Sequence, residues 1–241
     1  MINYVFKFHI LTITCVLMLL ASSGVRAAES ITVRFDNAFV DLPYPDGYCI
    51  LGETEVEKTL FEWQRDALLK ANNKLLGLWI SCEDKQKIQS GTFTGVLEKW
   101  VIINGVLSGE EATERAYPSY DPERYKKLMA GNVDLKEAVK LAQKSIGDAN
   151  EKYFDDNGAV TISGEIDLGL LSITDAVHRG MIMRVGGTEG TNIPTAAVMS
   201  FILLNGIPLA FHFYAHYTNK KTIDRLLSEA EYYSATLVHS N

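Results

Sequence analysis

The stretch IPTAAVMSFILLNGIPLAFHFYAHY, residues 193–217, consists of two long apolar runs joined by Asn205-Gly206. Asn-Gly between two β-prone runs is the strongest short-range signal for a two-residue turn. We therefore predict an antiparallel hairpin in which Met199 lies opposite His212. Successive strand residues point to opposite sides of a sheet, so this register also predicts which side chains share a face.

The two faces of the predicted hairpin differ in character. One is almost entirely apolar and is predicted to be core: Val198, Ser200, Ile202, Leu209, Phe211 and Phe213. The other combines apolar bodies with polar tips: Thr195, Met199, Phe201, His212, Tyr214 and His216. Ligand pockets have this second character. A sheet face under a helix or at a subunit contact has it too, so both interpretations stay open.

The candidate ligand-binding residues on that face are Met199, His212, Tyr214 and His216. The expected occupant is an unknown small molecule or protein. Imidazoles at the surface would titrate near 6.5 and make binding vary between mildly acid and neutral pH. His212 and His216 lie roughly 13 Å apart along one strand, whereas a zinc ion bonds to nitrogen at about 2 Å. We predict neither a metal nor a cofactor.

An enzyme is the alternative from another functional class. A hydrolase or metal-dependent enzyme would gather His178 with His212 or His216, together with an acid such as Asp175 and a nucleophile. Neither a G-x-S-x-G nor an H-E-x-x-H motif occurs in the sequence. Catalytic residues therefore stay unknown, and a non-catalytic binding or protein-interaction domain is the favoured interpretation.

Cys49 and Cys82 flank a predicted strand-helix-strand unit. Thr54 and Glu57 form a capping box that begins the helix, and short β-prone runs stand on either side of it. Such a unit lays its strands side by side, and two cysteines in an oxidising compartment usually pair. We predict a disulfide. A metal site and a catalytic thiol are the alternatives, but neighbouring ligands and an identified base are missing for them.

The first 27 residues resemble a secretory signal peptide. Lys7 precedes an apolar run over 10–21, and Val25 and Ala27 form a small-residue cleavage site. The apolar run is shorter than the roughly 20 residues of a transmembrane helix, so an uncleaved anchor is the less favoured alternative. We predict cleavage after Ala27, with Ala28 as the neighbouring alternative, and a periplasmic or secreted product without stable membrane insertion.

The remaining chain, residues 28–241, suits a single α+β domain. Its net charge of −7 becomes about −9 once Lys7 and Arg26 leave with the signal peptide. This acidic balance argues against nucleic acid as a partner.

The middle of the chain predicts a helical elaboration over 109–154. Ser108 and Glu111 form a capping box for a short helix, and a second helix begins after Asp121. The fold class is therefore an antiparallel sheet packed by helices, with a helical insertion in the middle of the chain.

Three further patterns complete this prediction. A strand is expected to end in a turn at Asn104-Gly105. Residues 160–171 alternate as a half-exposed strand, with Ile162 and Ile166 on one side. The last segment, 219–241, has the apolar spacing of a helix that packs across the hairpin.

A resemblance accompanies these patterns. LPYPDGYCILG at 42–52, a helix, LWISC at 78–82 and a C-terminal strand pair with a helix are similar to a family of uncharacterised exported proteobacterial proteins. The layout also resembles the PsbP-type α+β sandwich. The resemblance implies export and an α+β fold, but no activity and no catalytic residues.

Overall fold

The computed structural model describes residues 29–93, 97–108, 113–117, 120–131, 135–154, 160–186 and 192–241. The predicted signal peptide therefore lies outside the described residues. The strands are β1 (Ser30–Phe35), β2 (Ala38–Pro43), β3 (Tyr48–Ile50), β4 (Asn73–Ser81), β5 (Lys99–Val106), β6 (Thr161–Ile173), β7 (Val177–Gly186), β8 (Asn192–Leu204) and β9 (Ile207–His216). The helices are α1 (Glu55–Lys70), α2 (Cys82–Gln89), α3 (Pro122–Ala130), α4 (Leu135–Tyr153) and α5 (Lys220–Ser240).

Seven of these strands form one antiparallel sheet in the order β3-β4-β5-β9-β8-β7-β6, and β1 pairs with β2 separately. The helices pack against the large sheet, which confirms the predicted α+β class. None of the helices in the described part of the chain is long and apolar enough to cross a membrane.

The hairpin at the centre of the sheet has the predicted register. Asn205 and Gly206 both have positive φ values, 50° and 79°, as a type I′ turn requires. Met199 lies opposite His212, and Leu204 opposite Ile207. Every side chain of the hairpin therefore points to the face that the sequence predicts.

The apolar face of the hairpin is the core. Phe211 and Phe213 are almost completely buried there and pack edge-on against Tyr233 of α5. Leu226 and Leu237 of α5 are fully buried in the same cluster, which also includes apolar side chains from β1 and β2. The C-terminal helix thus packs across the hairpin, as predicted.

The opposite face of the sheet is covered by α1, α2, α3 and α4. The helix α3 packs on β8, and Arg179 of β7 donates to the carbonyl oxygen of Gly131 after α3 at 2.8 Å. Contacts near the end of α4 attach it to α1: Trp63 Nε1 donates to Asn150 Oδ1 at 3.1 Å, and the Tyr153 hydroxyl donates to Asp66 at 2.8 Å. Earlier along α4, Val139 packs with Met181 and Met183 of β7 and Met199 of β8. This arrangement positions the site described below.

The disulfide between Cys49 and Cys82 is present, with a Cα–Cα distance of 4.9 Å. It joins β3 to the first residue of α2, and β3 pairs with β4 as the strand-helix-strand prediction requires. The capping box is also confirmed, because Glu57 N donates to Thr54 Oγ1 at 3.2 Å. The helix that it begins ends at Lys70, and β4 starts at Asn73.

The predicted turn at Asn104-Gly105 is wrong, because both residues lie within β5. A Cβ atom at Gly105 would stand 2.2 Å from the ring of Phe35. The glycine is therefore needed for the close approach of Phe35, which is fully buried, and not for a turn. Asn104 has a side-chain role, described below.

The short helix predicted after Ser108 is wrong where it can be tested. Residues 109–112 lie outside the described residues, and 113–117 are not helical. The backbones of Ser108 and Thr113 bond to each other instead, at 2.9 and 3.1 Å. The carbonyl oxygen of Ser108 and the N–H of Thr113 are therefore paired in this bridge and not in a helix.

The predicted alternation of β6 is interrupted by register shifts against β7. Gly164 and Gly169 have positive φ values of 59° and 74°, which are typical of bulges. As a result Ile166, expected on the side of Ile162, is 59% exposed.

Candidate functional site

A cavity of about 250 Å³ lies between the sheet and the helices α1 and α4. Its floor consists of strand side chains: Ile102, Met181, Met183, Met199, His212 and Tyr214. Its walls and roof are helical. Leu141 at the border of the cavity is 45% exposed, so the space opens toward solvent between the two helices.

The cavity exists because the helices present small side chains to the sheet. Ala67 of α1 and Ala71, the residue that caps the end of this helix, are four residues apart, and Ala138, Ala142 and Ser145 of α4 are spaced by four and three residues. Leucine at these positions would fill the space with side-chain atoms.

A second cavity of about 150 Å³ adjoins the first. The two share five lining residues: Gln64, Ile102, Ile162, Met183 and Tyr214. The Tyr214 ring stacks on Trp100 with centroids 4.8 Å apart and planes 10° apart. Tyr214 therefore stands between two parts of one elongated apolar space.

A chain of hydrogen bonds connects the cavity floor to the end of α1. Asn73 Nδ2 donates to the carbonyl oxygen of Ala71 at 2.8 Å, and Asn104 Nδ2 donates to Asn73 Oδ1 at 2.7 Å. His212 Nε2 then bonds to Asn104 Oδ1 at 3.1 Å. We call these three side chains, Asn73, Asn104 and His212, the polar relay.

The other ring nitrogen of His212, Nδ1, is buried and has no hydrogen-bond partner among the described residues. Burial lowers the pKa of His212 to about 4, and it raises the pKa of Tyr214. Both side chains are therefore neutral at pH 7. The expectation of a surface imidazole that titrates near 6.5 is wrong for His212, since the ring lies beneath the helices.

The structure brings three of the four predicted binding residues together. Met199, His212 and Tyr214 all line the larger cavity, while His216 does not. His216 is partly buried, and its Nε2 has no partner within the described ranges.

Sequence reasoning assigned neither Asn73 nor Asn104 to the site. One signal was available for Asn104, which is 2% exposed and stands in the apolar run WVIIN. Asparagine is depleted in strands. Its presence in a buried strand therefore indicates a specific hydrogen-bonding role.

His178 lies on the opposite face of the sheet, away from His212. It is fully buried, with Nδ1 2.8 Å from Ser200 Oγ and Nε2 2.9 Å from Thr174 Oγ1. Burial lowers its pKa, against the opposing influence of nearby acids. The histidines that the enzyme hypothesis requires are therefore not gathered.

Within the described ranges, no group of three or more His, Cys, Asp or Glu residues is arranged to hold a metal ion.

No protein-family model matches the chain, and no curated protein sequence matches it. Among solved structures, the chain is similar to the Ran-binding protein Mog1p of Saccharomyces cerevisiae, with 11% identity over 89% of this chain and 93% of the other and a TM-score of 0.30. A Mog1 mutant gives 11% identity, coverages of 88% and 92%, and a TM-score of 0.29. Similarity at this level supports no conclusion about function, and membership of the exported proteobacterial family stays a prediction.

Proposed function

We propose that this protein is an exported, non-catalytic binding domain that holds a small apolar molecule between α1, α4 and the sheet. The observation that carries the proposal is the 250 Å³ cavity over Met199, His212 and Tyr214. An apolar cavity of about 150 Å³ in another protein is large enough to bind benzene. The space here is larger, and it continues into the adjoining 150 Å³.

The character of the lining supports this proposal. Most of the side chains around the space are apolar, so water that enters it finds few hydrogen-bond partners. An apolar occupant would remove this surface from water. The small side chains of Ala67 and Ala142 leave room for such an occupant.

The disulfide supports the proposed location. Disulfides persist in oxidising compartments and are rare in the cytosol. We infer that the chain is exported, that cleavage follows Ala27 and that the product is periplasmic or secreted. A small molecule fits the cavity better than a protein partner, because the floor lies beneath helices and not on an open surface.

The test is a titration with the fluorescent probe N-phenyl-1-naphthylamine, an uncharged apolar molecule whose emission rises in a dry environment. We expect saturable binding to the wild-type protein. Ala142→Phe places a ring in the cavity and should weaken binding at least about tenfold, because the probe and the new side chain compete for one volume.

The control is Ala235→Phe, the same substitution at an exposed position of α5 on the other side of the sheet. This variant should bind like the wild type. If the wild type gives no saturable signal, or if both variants lose binding equally, the cavity is not the binding site and the proposal is wrong.

A further inference from the structure

The larger and the smaller cavity lie one after the other beneath α1. The side chains that α1 and its cap contribute form one helical stripe: Leu60, Trp63, Gln64, Ala67, Leu68 and Ala71. Leu60 and Trp63 border only the smaller cavity, Gln64 borders both, and the last three border only the larger one. At about 1.5 Å of rise per residue, the stripe from Leu60 to Ala71 is roughly 16 Å long.

The strands of the floor show the same order. On β7, Met181 borders only the larger cavity, Met183 borders both, and Val185 borders only the smaller one. On β9, His212 borders only the larger cavity and Tyr214 borders both. Met181 and Val185 are roughly 13 Å apart at about 3.3 Å per strand residue. The two cavities are therefore consecutive parts of one space, which we call the α1 passage.

The α1 passage is narrow for its length. Volumes of about 250 and 150 Å³, spread over roughly 16 Å, give a mean cross-section of about 25 Å². Carbon atoms in contact are about 3.5–4.0 Å apart, so one alkyl chain needs about 15–20 Å² and two chains side by side exceed the space. Within the described part of the chain, the side chains that border the passage are uncharged at pH 7. Its dimensions and chemistry therefore match one extended hydrocarbon chain.

We propose that the α1 passage takes a single unbranched alkyl chain of about 12 carbons, as in a fatty acid or a fatty alcohol. An extended chain advances roughly 1.3 Å per carbon, from a C–C bond of about 1.5 Å, and this spacing gives the chain length. The polar head group lies at the end near Leu141, which opens to solvent, and the tail runs past Tyr214 toward Leu60. This inference rests on the proposed function and specifies its ligand class.

The test uses displacement of N-phenyl-1-naphthylamine at pH 7.5 by straight-chain primary alcohols from hexanol to tetradecanol. We expect the affinity to rise about fourfold per carbon, or about 200-fold from octanol to dodecanol, because each added methylene leaves water. Beyond dodecanol the affinity should level off. The branched isomer 2-butyl-1-octanol has the same atoms as dodecanol, and it should bind at least about tenfold more weakly because its two arms do not fit side by side.

A parallel series of alkanoates distinguishes a free fatty acid from an uncharged alcohol. The charged head group stays at the open end of the passage, so it changes the affinity of every member alike. The proposal requires the affinity to level off at the same chain length in each series that binds.

Two variants locate the tail. Leu60→Trp places a larger side chain at the far end and leaves the stretch from Gln64 to Ala71, which is roughly 10 Å long. This stretch holds about 8 carbons, so hexanol and octanol should bind as they bind to the wild type, while the rise from octanol to dodecanol disappears. The control is Leu69→Trp, the same substitution on the same helix at a position that is 52% exposed and borders neither cavity. This control should keep the wild-type rise.

The outcomes separate the two proposals. If neither N-phenyl-1-naphthylamine nor any alcohol binds, the proposed function fails. If the probe and the short alcohols bind but the affinity levels off at octanol, if the branched isomer binds as tightly as dodecanol, or if Leu60→Trp keeps the full rise, this inference fails and the apolar binding site stands. The wild-type series and the branched isomer remain decisive even if a variant does not fold.

Discussion

His212 should make the folded protein sensitive to mild acid. Burial lowers its pKa to about 4, whereas the pKa of histidine in an unfolded chain is about 6.5. Between these values the unfolded chain binds a proton that the folded protein does not, so protons favour unfolding. The contribution of His212 is fully present above pH 6.5 and is lost as the pH falls toward 4.

The magnitude follows from the two pKa values. Lowering the pH from 7.5 to 5 should remove about 2 kcal/mol of unfolding free energy, and about 3 kcal/mol should be lost by pH 4. The pKa of His178 is also lowered by burial, and it adds a loss of the same sign. Carboxylates with lowered pKa values, such as Glu57 and Asp66, lose their contribution below about pH 4.5. The interval from 7.5 to 5 therefore isolates the histidines.

The assay is urea unfolding followed by circular dichroism at pH 7.5, 6 and 5, for the wild type and for His212→Phe. Subtracting the variant removes the contribution of His178, which both proteins share. We expect the wild type to lose about 2 kcal/mol more than the variant over this interval. Equal losses in the two proteins would show that His212 is not held neutral by the fold and would refute the reasoning.

Three further predictions concern the rest of the chain. N-terminal sequencing of the exported product should find residue 28 first, and a product that retains the whole leader would contradict cleavage after Ala27. Replacing Cys49 and Cys82 by serine opens a loop of 33 residues and should lower the free energy of unfolding by about 4 kcal/mol in the chain-entropy model. An unchanged urea midpoint would count against this prediction. Non-reducing peptide mapping of the wild type should recover the disulfide-linked pair. Gly105→Ala should lower the free energy of unfolding by about 1–3 kcal/mol, because the new methyl group collides with Phe35. The same urea titration measures this loss, and an unaltered midpoint would contradict it.

The two Asn-Gly pairs show what the sequence could and could not predict. Asn205-Gly206 stands between runs long enough to pair with each other, and it forms the predicted turn. Asn104-Gly105 is the same dipeptide and is also flanked by apolar residues. It lies inside β5, however, because β5 pairs with β4 and β9 and not with a run that directly follows it in sequence. The difference arises from the packing of Phe35 and from the polar relay, and a local pattern contains neither.

Only the residues that the sheet contributes to the candidate site were predictable from the sequence. Alternation along β8 and β9 was enough to place Met199, His212 and Tyr214 on one face, because the hairpin register depends on local turn geometry. The roof of the cavity was not predictable. Ala138 and Ala142 follow a helical stripe that is typical of a core face, and the sequence does not say how far that stripe stands from the sheet.

The polar relay begins at the main-chain carbonyl of Ala71, an atom that every residue type supplies. Its direction therefore does not depend on which residue occupies position 71, but it does depend on the side chains of Asn73, Asn104 and His212 together. Loss of one member in a descendant chain would leave buried polar atoms unpaired, at about 1–3 kcal/mol each. Substitutions at these three positions should therefore be correlated among related sequences. Sequences that keep His212 should keep both asparagines, and sequences that lack the histidine should have replaced all three residues.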